Sequence, residues 1–176
     1  MPKVFFDAAE ELGGLLAQRK ISLVYGGARV GLMGALAMAV HQHGGHVIGV
    51  IPRFMRDREI AYEAADELIA TETMRERKEI MESRADAFIA LPGGFGTLEE
   101  ILEIITLRLL HRHEKPVAFL NTADFYRPLI AMFEHFYAHN FAKPSSRSFY
   151  HVAPTPSDAL EYIAGHVAVR PESKWL

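Results

Sequence analysis

The stretch "DAFIALPGGFGTLEEILEIITLRLL", residues 86–110, runs from a short apolar segment through a glycine-rich turn into an apolar helical pattern. Asp86 to Leu91, bounded by Pro92, reads as a buried strand, and the spacing that follows predicts a helix over 97–111. Gly93, Gly94 and Gly96 free the backbone between them to wrap a small anion. Thr97 is placed to cap the helix, and its hydroxyl can also donate to a phosphate held at the helix N-terminus. Glu99 and Glu100 follow in what reads as the first helical turn. They point about 100° apart, so one of the two faces a ligand in the crevice. A glutamate pair alone has a simpler use, in the favourable interaction of acids with the helix dipole. Together with the glycine loop, the pair reads as a phosphate cradle with a fixed carboxylate beside it.

The same alternation extends in both directions. Short β-rich runs stand at Ser22 to Tyr25, His46 to Ile51, Glu67 to Ala70, Asp86 to Leu91 and Pro116 to Leu120, with a weaker one near Ser148 to Val152. Helical patterns lie at about 7–19, 30–43, 73–84, 97–111, 124–139 and 156–168. Strands alternating with helices of this length predict βαβ units and a parallel sheet, and strands apolar at nearly every position are covered on both faces. The expected fold is a Rossmann-like, doubly wound open parallel α/β sheet, with residues 1–176 as a single domain. Such a sheet normally opens with a strand, whereas this sequence opens with an amphipathic helix. Either the first strand is missing from the sequence, which is the favoured expectation, or Lys3 to Phe6 ("KVFF") does a short strand's work.

Three further segments attract notice. "YGGARVGLMG", Tyr25 to Gly34, follows a strand and opens a helix; Gly26 and Gly27 turn tightly there, and Gly31 and Gly34 permit close approach of helix, sheet or ligand. Its plain alternative is a tight turn with close packing, and Arg29 within it reaches a phosphate or points to water. "TMRERKEIM", Thr73 to Met81, opens a helix with a capping box of Thr73 and Glu76; Arg77 and Lys78 read on composition as a solvated charged face. "PRFMRDREI", Pro52 to Ile60, reads as a surface loop containing Glu59.

Bulk properties exclude whole classes. With 19 Lys and Arg against 22 Asp and Glu, the 176-residue chain carries a net charge of −3 and lacks the basic excess of a general nucleic-acid binder. No cysteine is present, which removes disulfides, thiolate metal sites and thiol nucleophiles and suits a reducing cytoplasm. No apolar stretch reaches the roughly 18 to 20 residues of a membrane span, and the first ten residues lack a signal peptide's apolar core. His41, His43 and His46 sit at a helix end and its turn, and neither they nor His111 and His113 form a recognisable metal spacing, so no metal is expected.

Taken together, the motifs resemble the Lonely Guy (LOG) family, the cytokinin-activating nucleoside 5′-monophosphate phosphoribohydrolases. The family's PGGxGTxxE signature stands here as Pro92 to Glu100, and its MxxRK-type segment as Met74-Arg75-Glu76-Arg77-Lys78. The turn at Tyr25 to Gly34 and the "GVIPRFM…REI" run are similar too, and the similarity extends over nearly the whole chain. The resemblance implies hydrolysis of the N-glycosidic bond of AMP or an N6-modified (N6-prenylated) AMP to free base and ribose 5-phosphate, with no cofactor. It makes Arg77 and Glu100 the catalytic pair. It makes Glu59, Met74, Lys78, Gly93, Gly94, Phe95, Gly96, Thr97, Leu98, Glu99 and Thr106 substrate-binding, with Gly26 and Gly27 joining them from the glycine turn. It also implies a homodimer or larger homo-oligomer, and the apolar helix "LEEILEIITLRLL" is consistent with packing against a partner.

Two departures stand out. The family's first-strand loop, which bears Gly or Ser, has no counterpart, and Ala28-Arg29 stands where a third glycine and a small residue are common. A nucleotide- or cofactor-binding module without hydrolase activity is the alternative reading, against which Arg77 and Glu100 argue. A pyridoxal phosphate-dependent lysine decarboxylase is disfavoured, because Lys78 sits amid charges without the partners such chemistry needs.

Overall fold

Lys3 to Phe6 forms the first turn of a helix, α1 (Lys3–Gln18), and does not act as a strand. Pro2 stands at its N-cap with φ −59°, and Ala8, Ala9, Leu12 and Leu16 bury one stripe from there onward. The computed structural model describes residues 1–56 and 60–167. Contacts group the chain into two compact units, one ending at Ala85 and the other starting at Asp86.

In the first unit α1 is followed by β1 (Leu23–Tyr25), α2 (Gly31–Gln42), β2 (Val47–Pro52), a short α3 (Arg53–Arg56), β3 (Glu67–Thr71) and α4 (Met74–Arg84). The strands pair in parallel in the order β1-β2-β3, with Leu23 opposite Val47 and Ile48 opposite Glu67. All six residues of β2 are buried, as a strand covered on both faces requires. The run 52–60, read as a loop, instead gives its first residue to β2 and the next four to α3. Thr73 caps α4 by accepting from the Glu76 amide at 3.1 Å, while the Glu76 carboxylate reaches back to the Glu72 amide at 2.8 Å. The capping box is therefore present, shifted by one donor.

The second unit runs β4 (Phe88–Ala90), α5 (Phe95–Leu109), β5 (Val117–Leu120), α6 (Arg127–Ala138), β6 (His151–Ala153) and α7 (Pro156–Ala164). Its strands are again parallel, in the order β4-β5-β6. Phe119 of β5 centres an aromatic core, with Tyr126 at 4.9 Å, Tyr150 at 5.7 Å and Phe133 at 6.2 Å between ring centroids. Ile101, Ile104 and Ile105 bring α5 onto this core. Helix α6 starts three residues later than expected, because Ala123 and Asp124 take left-handed φ of 52° and 58° and break the helical path.

The parallel α/β architecture matches expectation, but its pairing is in two three-stranded ladders and not one continuous ladder. In each ladder the first strand, β1 or β4, has a hydrogen-bonded neighbour on one side only. Among the described residues no helix is long and apolar enough to cross a membrane.

The glycine pattern of the first unit carries a testable stability cost. A Cβ built on Gly34 lies 2.0 Å from the Arg29 carbonyl oxygen, a backbone atom that cannot swing away. Gly34→Ala is expected to destabilise by about 1–3 kcal/mol through overpacking, lowering the melting temperature by several degrees. Gly94→Ala, whose Cβ meets nothing within 4 Å, costs far less. Thermal unfolding of the two variants checks this, and equal melting temperatures would contradict it.

Candidate active site

Strand β4 delivers the chain to Leu91, and the carbonyl there is held by the Tyr126 hydroxyl, which donates to it at 2.5 Å. Burial pushes the Tyr126 phenol well above its ordinary pKa, so it remains a donor. Helix α5 then begins earlier than the sequence suggests. Gly94 is the N-cap, with no side-chain cap hydrogen bond, and Phe95 is the first helical residue. Thr97 is thus not the cap but lies inside the first turn. Its side chain rests against Gly93, where a built Cβ would meet Thr97 Oγ1 at 2.1 Å and Cβ at 2.7 Å. Glycine at 93 is what lets the hydroxyl fold back over the loop.

This shift also moves the acids. With Phe95 at the first helical position, Glu99 and Glu100 fall in the second turn, and the first turn contains no acid. Dipole stabilisation fades within the first turn, so it does not account for the pair. Glu99 is exposed and Glu100 half-buried. The pair is thereby divided, as the 100° spacing requires. The amides of Phe95, Gly96 and Thr97 precede the first intrahelical bond, in which the Leu98 amide donates to the Gly94 carbonyl at 3.1 Å. Phe95 and Gly96 are exposed, whereas Leu98 is half-buried against the core.

In the first unit the deciding observation is Arg77. Read from composition as part of a solvated face, it is only 7% exposed. Its Nε donates to the Val50 carbonyl at 3.1 Å, and its Nη2 occupies the space a Gly26 side chain would fill, 2.2 Å from the built Cβ. The guanidinium therefore sits on the turn just past the end of β1, at the carboxyl end of the strands where ligands of open α/β sheets bind. Gly27 takes φ +75° in the same turn, a conformation that favours glycine. Met74, about one turn before Arg77 on α4, is 41% exposed, and Lys78, the next residue after it, is half-buried. Arg29 is exposed.

One expected binding residue stands apart. Thr106 lies on α5 about 13 Å beyond Thr97, at 1.5 Å per residue. It is exposed, and its hydroxyl donates to the Leu102 carbonyl at 2.7 Å. Glu59 lies outside the described residues. No sequence signal marks the Val50 carbonyl or the Tyr126 hydroxyl, which anchor Arg77 and the start of the glycine loop.

Comparison with known proteins bears on this arrangement. A family model described as "possible lysine decarboxylase" matches residues 33–163. A "probable cytokinin riboside 5′-monophosphate phosphoribohydrolase" of Oryza sativa subsp. japonica is 46% identical over 177 residues, covering 98% of this chain and 72% of the relative. A cytokinin riboside 5′-monophosphate phosphoribohydrolase of Arabidopsis thaliana is 42% identical over 175 residues, covering 97% and 77%. Among solved structures, the molybdenum cofactor binding protein of Rippkaea orientalis superposes with a TM-score of 0.71 at 24% identity, covering 93% of this chain and 88% of that one. The molybdenum cofactor carrier protein of Chlamydomonas reinhardtii gives 0.69 at 24%, with coverage of 93% and 88%. The structural likenesses establish the fold alone. The sequence relatives establish more: the chain belongs to the LOG family, that of the cytokinin riboside 5′-monophosphate phosphoribohydrolases.

Proposed function

We propose that the protein hydrolyses the N-glycosidic bond of AMP or an N6-modified AMP of the cytokinin type. The observation that carries this reading is the glycine loop opening α5 without a side-chain cap, one turn before a half-buried Glu100. The activity by which the relatives are named supports it independently.

The chemistry divides among the residues as follows. The amides of Phe95, Gly96 and Thr97, with the Thr97 hydroxyl, bind the 5′-phosphate at the positive end of α5. That remote binding energy positions the ribose. Cleavage breaks the C1′–N bond; its electron pair leaves with the base, which takes up a proton, and water adds its hydroxyl at C1′. The transition state resembles an oxocarbenium ion, so the Glu100 carboxylate stabilises it and takes the proton of the attacking water. Arg77 supplies a fixed guanidinium for the phosphate or for hydrogen bonding to the departing base. Gly26 and Gly27 leave room for it, while Glu59, Met74, Lys78, Gly93, Gly94, Leu98, Glu99 and Thr106 complete the binding set.

A binding module of the same fold is the second reading, supported by the likeness to molybdenum cofactor proteins; a mere binder has less need of Glu100. Lysine decarboxylation draws no support from Lys78, whose neighbours in sequence are Arg75, Arg77, Glu79 and Glu82. The reading takes residues 1–176 as one domain and the cytoplasm as its compartment. It also takes a homodimer as the working form, because Leu102 and Thr106 of α5 and Leu110 at its C-cap are exposed at i, i+4 and i+8. Light scattering is expected to give twice the mass of one chain, reduced to one by Leu102→Glu with Leu110→Glu; a wild-type monomer would remove the dimer.

Activity on AMP and N6-isopentenyl-AMP, compared with adenosine, tests the whole. Base release from both monophosphates and not from adenosine is the expected result. Equal cleavage of adenosine would overturn the phosphate-anchoring role of the loop.

A further inference from the structure

Helix α6 carries His135 in its last turn and His139 at its C-cap, both exposed. Four residues along a helix return to the same face, and the two rings meet there, with centroids 4.0 Å apart and planes tilted by 44°. Phe133 and Tyr137, on the opposite side of the same turns, are buried in the aromatic core. The end of the helix is also fixed by backbone. Asn140 takes a left-handed φ of 61°, its amide donates to the Tyr137 carbonyl at 3.2 Å, and the Phe141 amide reaches back to the Phe136 carbonyl at 2.9 Å. The pair therefore stands on a rigid frame.

His139 is held further by its own ring. Its Nδ1 stands 3.0 Å from the His135 carbonyl, which also accepts from the His139 amide at 3.1 Å. A carbonyl oxygen only accepts, so Nδ1 carries the proton and Nε2 of the neutral ring keeps its lone pair. An imidazole steered through one nitrogen by a backbone carbonyl is the usual arrangement of a metal-binding histidine. Capping the helix needs only one such ring. A second ring in contact with it adds nothing to the cap, and when both are protonated they repel. Two neutral imidazoles side by side make a chelating pair. Two imidazole nitrogens held by one ion at about 2.0–2.1 Å lie about 3 Å apart, a span within reach of rings whose centroids are 4.0 Å apart. The negative end of the α6 dipole lies at the same place and favours a cation. Among the described residues no group of three or more His, Cys, Asp or Glu could hold a metal ion, so the chelate has two protein ligands and water for the rest.

We propose that His135 and His139 form a two-histidine chelate for a late first-row divalent cation, binding copper(II) above nickel(II) and zinc(II). Imidazole suits these three ions and the order of their affinities places copper(II) first, whereas magnesium and calcium require oxygen ligands. The assignment does not depend on glycosidic cleavage.

Copper(II) chloride is titrated into the full chain, in a buffer without metal-binding groups, and followed by calorimetry and by amide NMR. One tightest equivalent is expected. Two ligands on one frame make the second bond intramolecular, so His135→Gln and His139→Gln each weaken that equivalent by about 10-fold or more. Both positions are exposed and glutamine is a good helix former; circular dichroism confirms that the variants fold. His46→Gln, at an exposed histidine of the first unit, leaves the affinity unchanged, and excess magnesium does not displace the copper. Paramagnetic broadening by copper below one equivalent falls first on the amides of residues 132–141. A tightest equivalent indifferent to both His135→Gln and His139→Gln, broadening centred instead on 41–46, or displacement by magnesium would overturn the site.

Discussion

Glu100→Gln is expected to leave the fold intact and slow base release from AMP by about 10²- to 10⁴-fold, the range for loss of a positioned acid or base. The substitution keeps size and hydrogen-bonding shape. It removes the negative charge that opposes the cationic sugar, and the basic oxygen that accepts water's proton. Glu100 is half-buried in the second turn of α5, where a packed helix fixes its direction. Glu103→Gln, at an exposed position one turn further on, is the matched control and changes the rate little. Steady-state kinetics separate the roles: a fall in kcat marks an interaction made in the transition state, and a rise in KM alone marks ground-state binding of the ribose hydroxyls. A Glu100→Gln enzyme of unchanged kcat/KM would remove the carboxylate from the mechanism.

The second large effect is expected at a residue with no side chain. A Cβ on Gly26 would lie 2.2 Å from Arg77 Nη2 and 3.2 Å from the Met33 sulfur. Both are the far ends of flexible side chains, so the chain still folds and the guanidinium moves instead. A displacement of about 1 Å at a catalytic group can cost 10²-fold in rate, and Gly26→Ala is expected to lose at least that much kcat/KM. Arg77→Ala loses a similar amount. Because the two changes act on one group, their losses do not multiply: Gly26→Ala in the Arg77→Ala background costs little more. Losses that do multiply would show that Gly26 acts on the nucleotide directly and not through Arg77.

The fold was legible because strand and helix periods differ and this chain keeps them apart. β2 and β5 read as uninterrupted apolar runs and are buried at every position. Local signals were less reliable at element ends. Thr97 looks like a cap, yet Gly94 takes that place because the glycine loop enters helical geometry two residues before the threonine. Lys3 to Phe6 looked able to form a strand, as the alternative to a missing one, but it opens α1, with Lys3 and Val4 exposed and Phe5 and Phe6 half-buried. The burial of Arg77 was not legible at all. Its own segment, "MRERKEIMESR", is strongly polar, and its anchor is a carbonyl 27 residues away. The contacts of His41 were hidden in the same way: "HQHGGH" suggests only a helix end, while its hydrogen-bond partners Tyr62 and Asp66 lie 21 and 25 residues further on. Family resemblance singled out Arg77 where composition did not, and the buried guanidinium on Gly26 gives a physical reason for that residue to matter.

The most direct measurement follows AMP through one time course while free base, ribose 5-phosphate, nucleoside and inorganic phosphate are all quantified. Glycosidic hydrolysis requires adenine and ribose 5-phosphate to rise in equal amounts, with no adenosine and no inorganic phosphate. Adenosine with inorganic phosphate, or AMP bound and recovered intact by a folded protein, would contradict it.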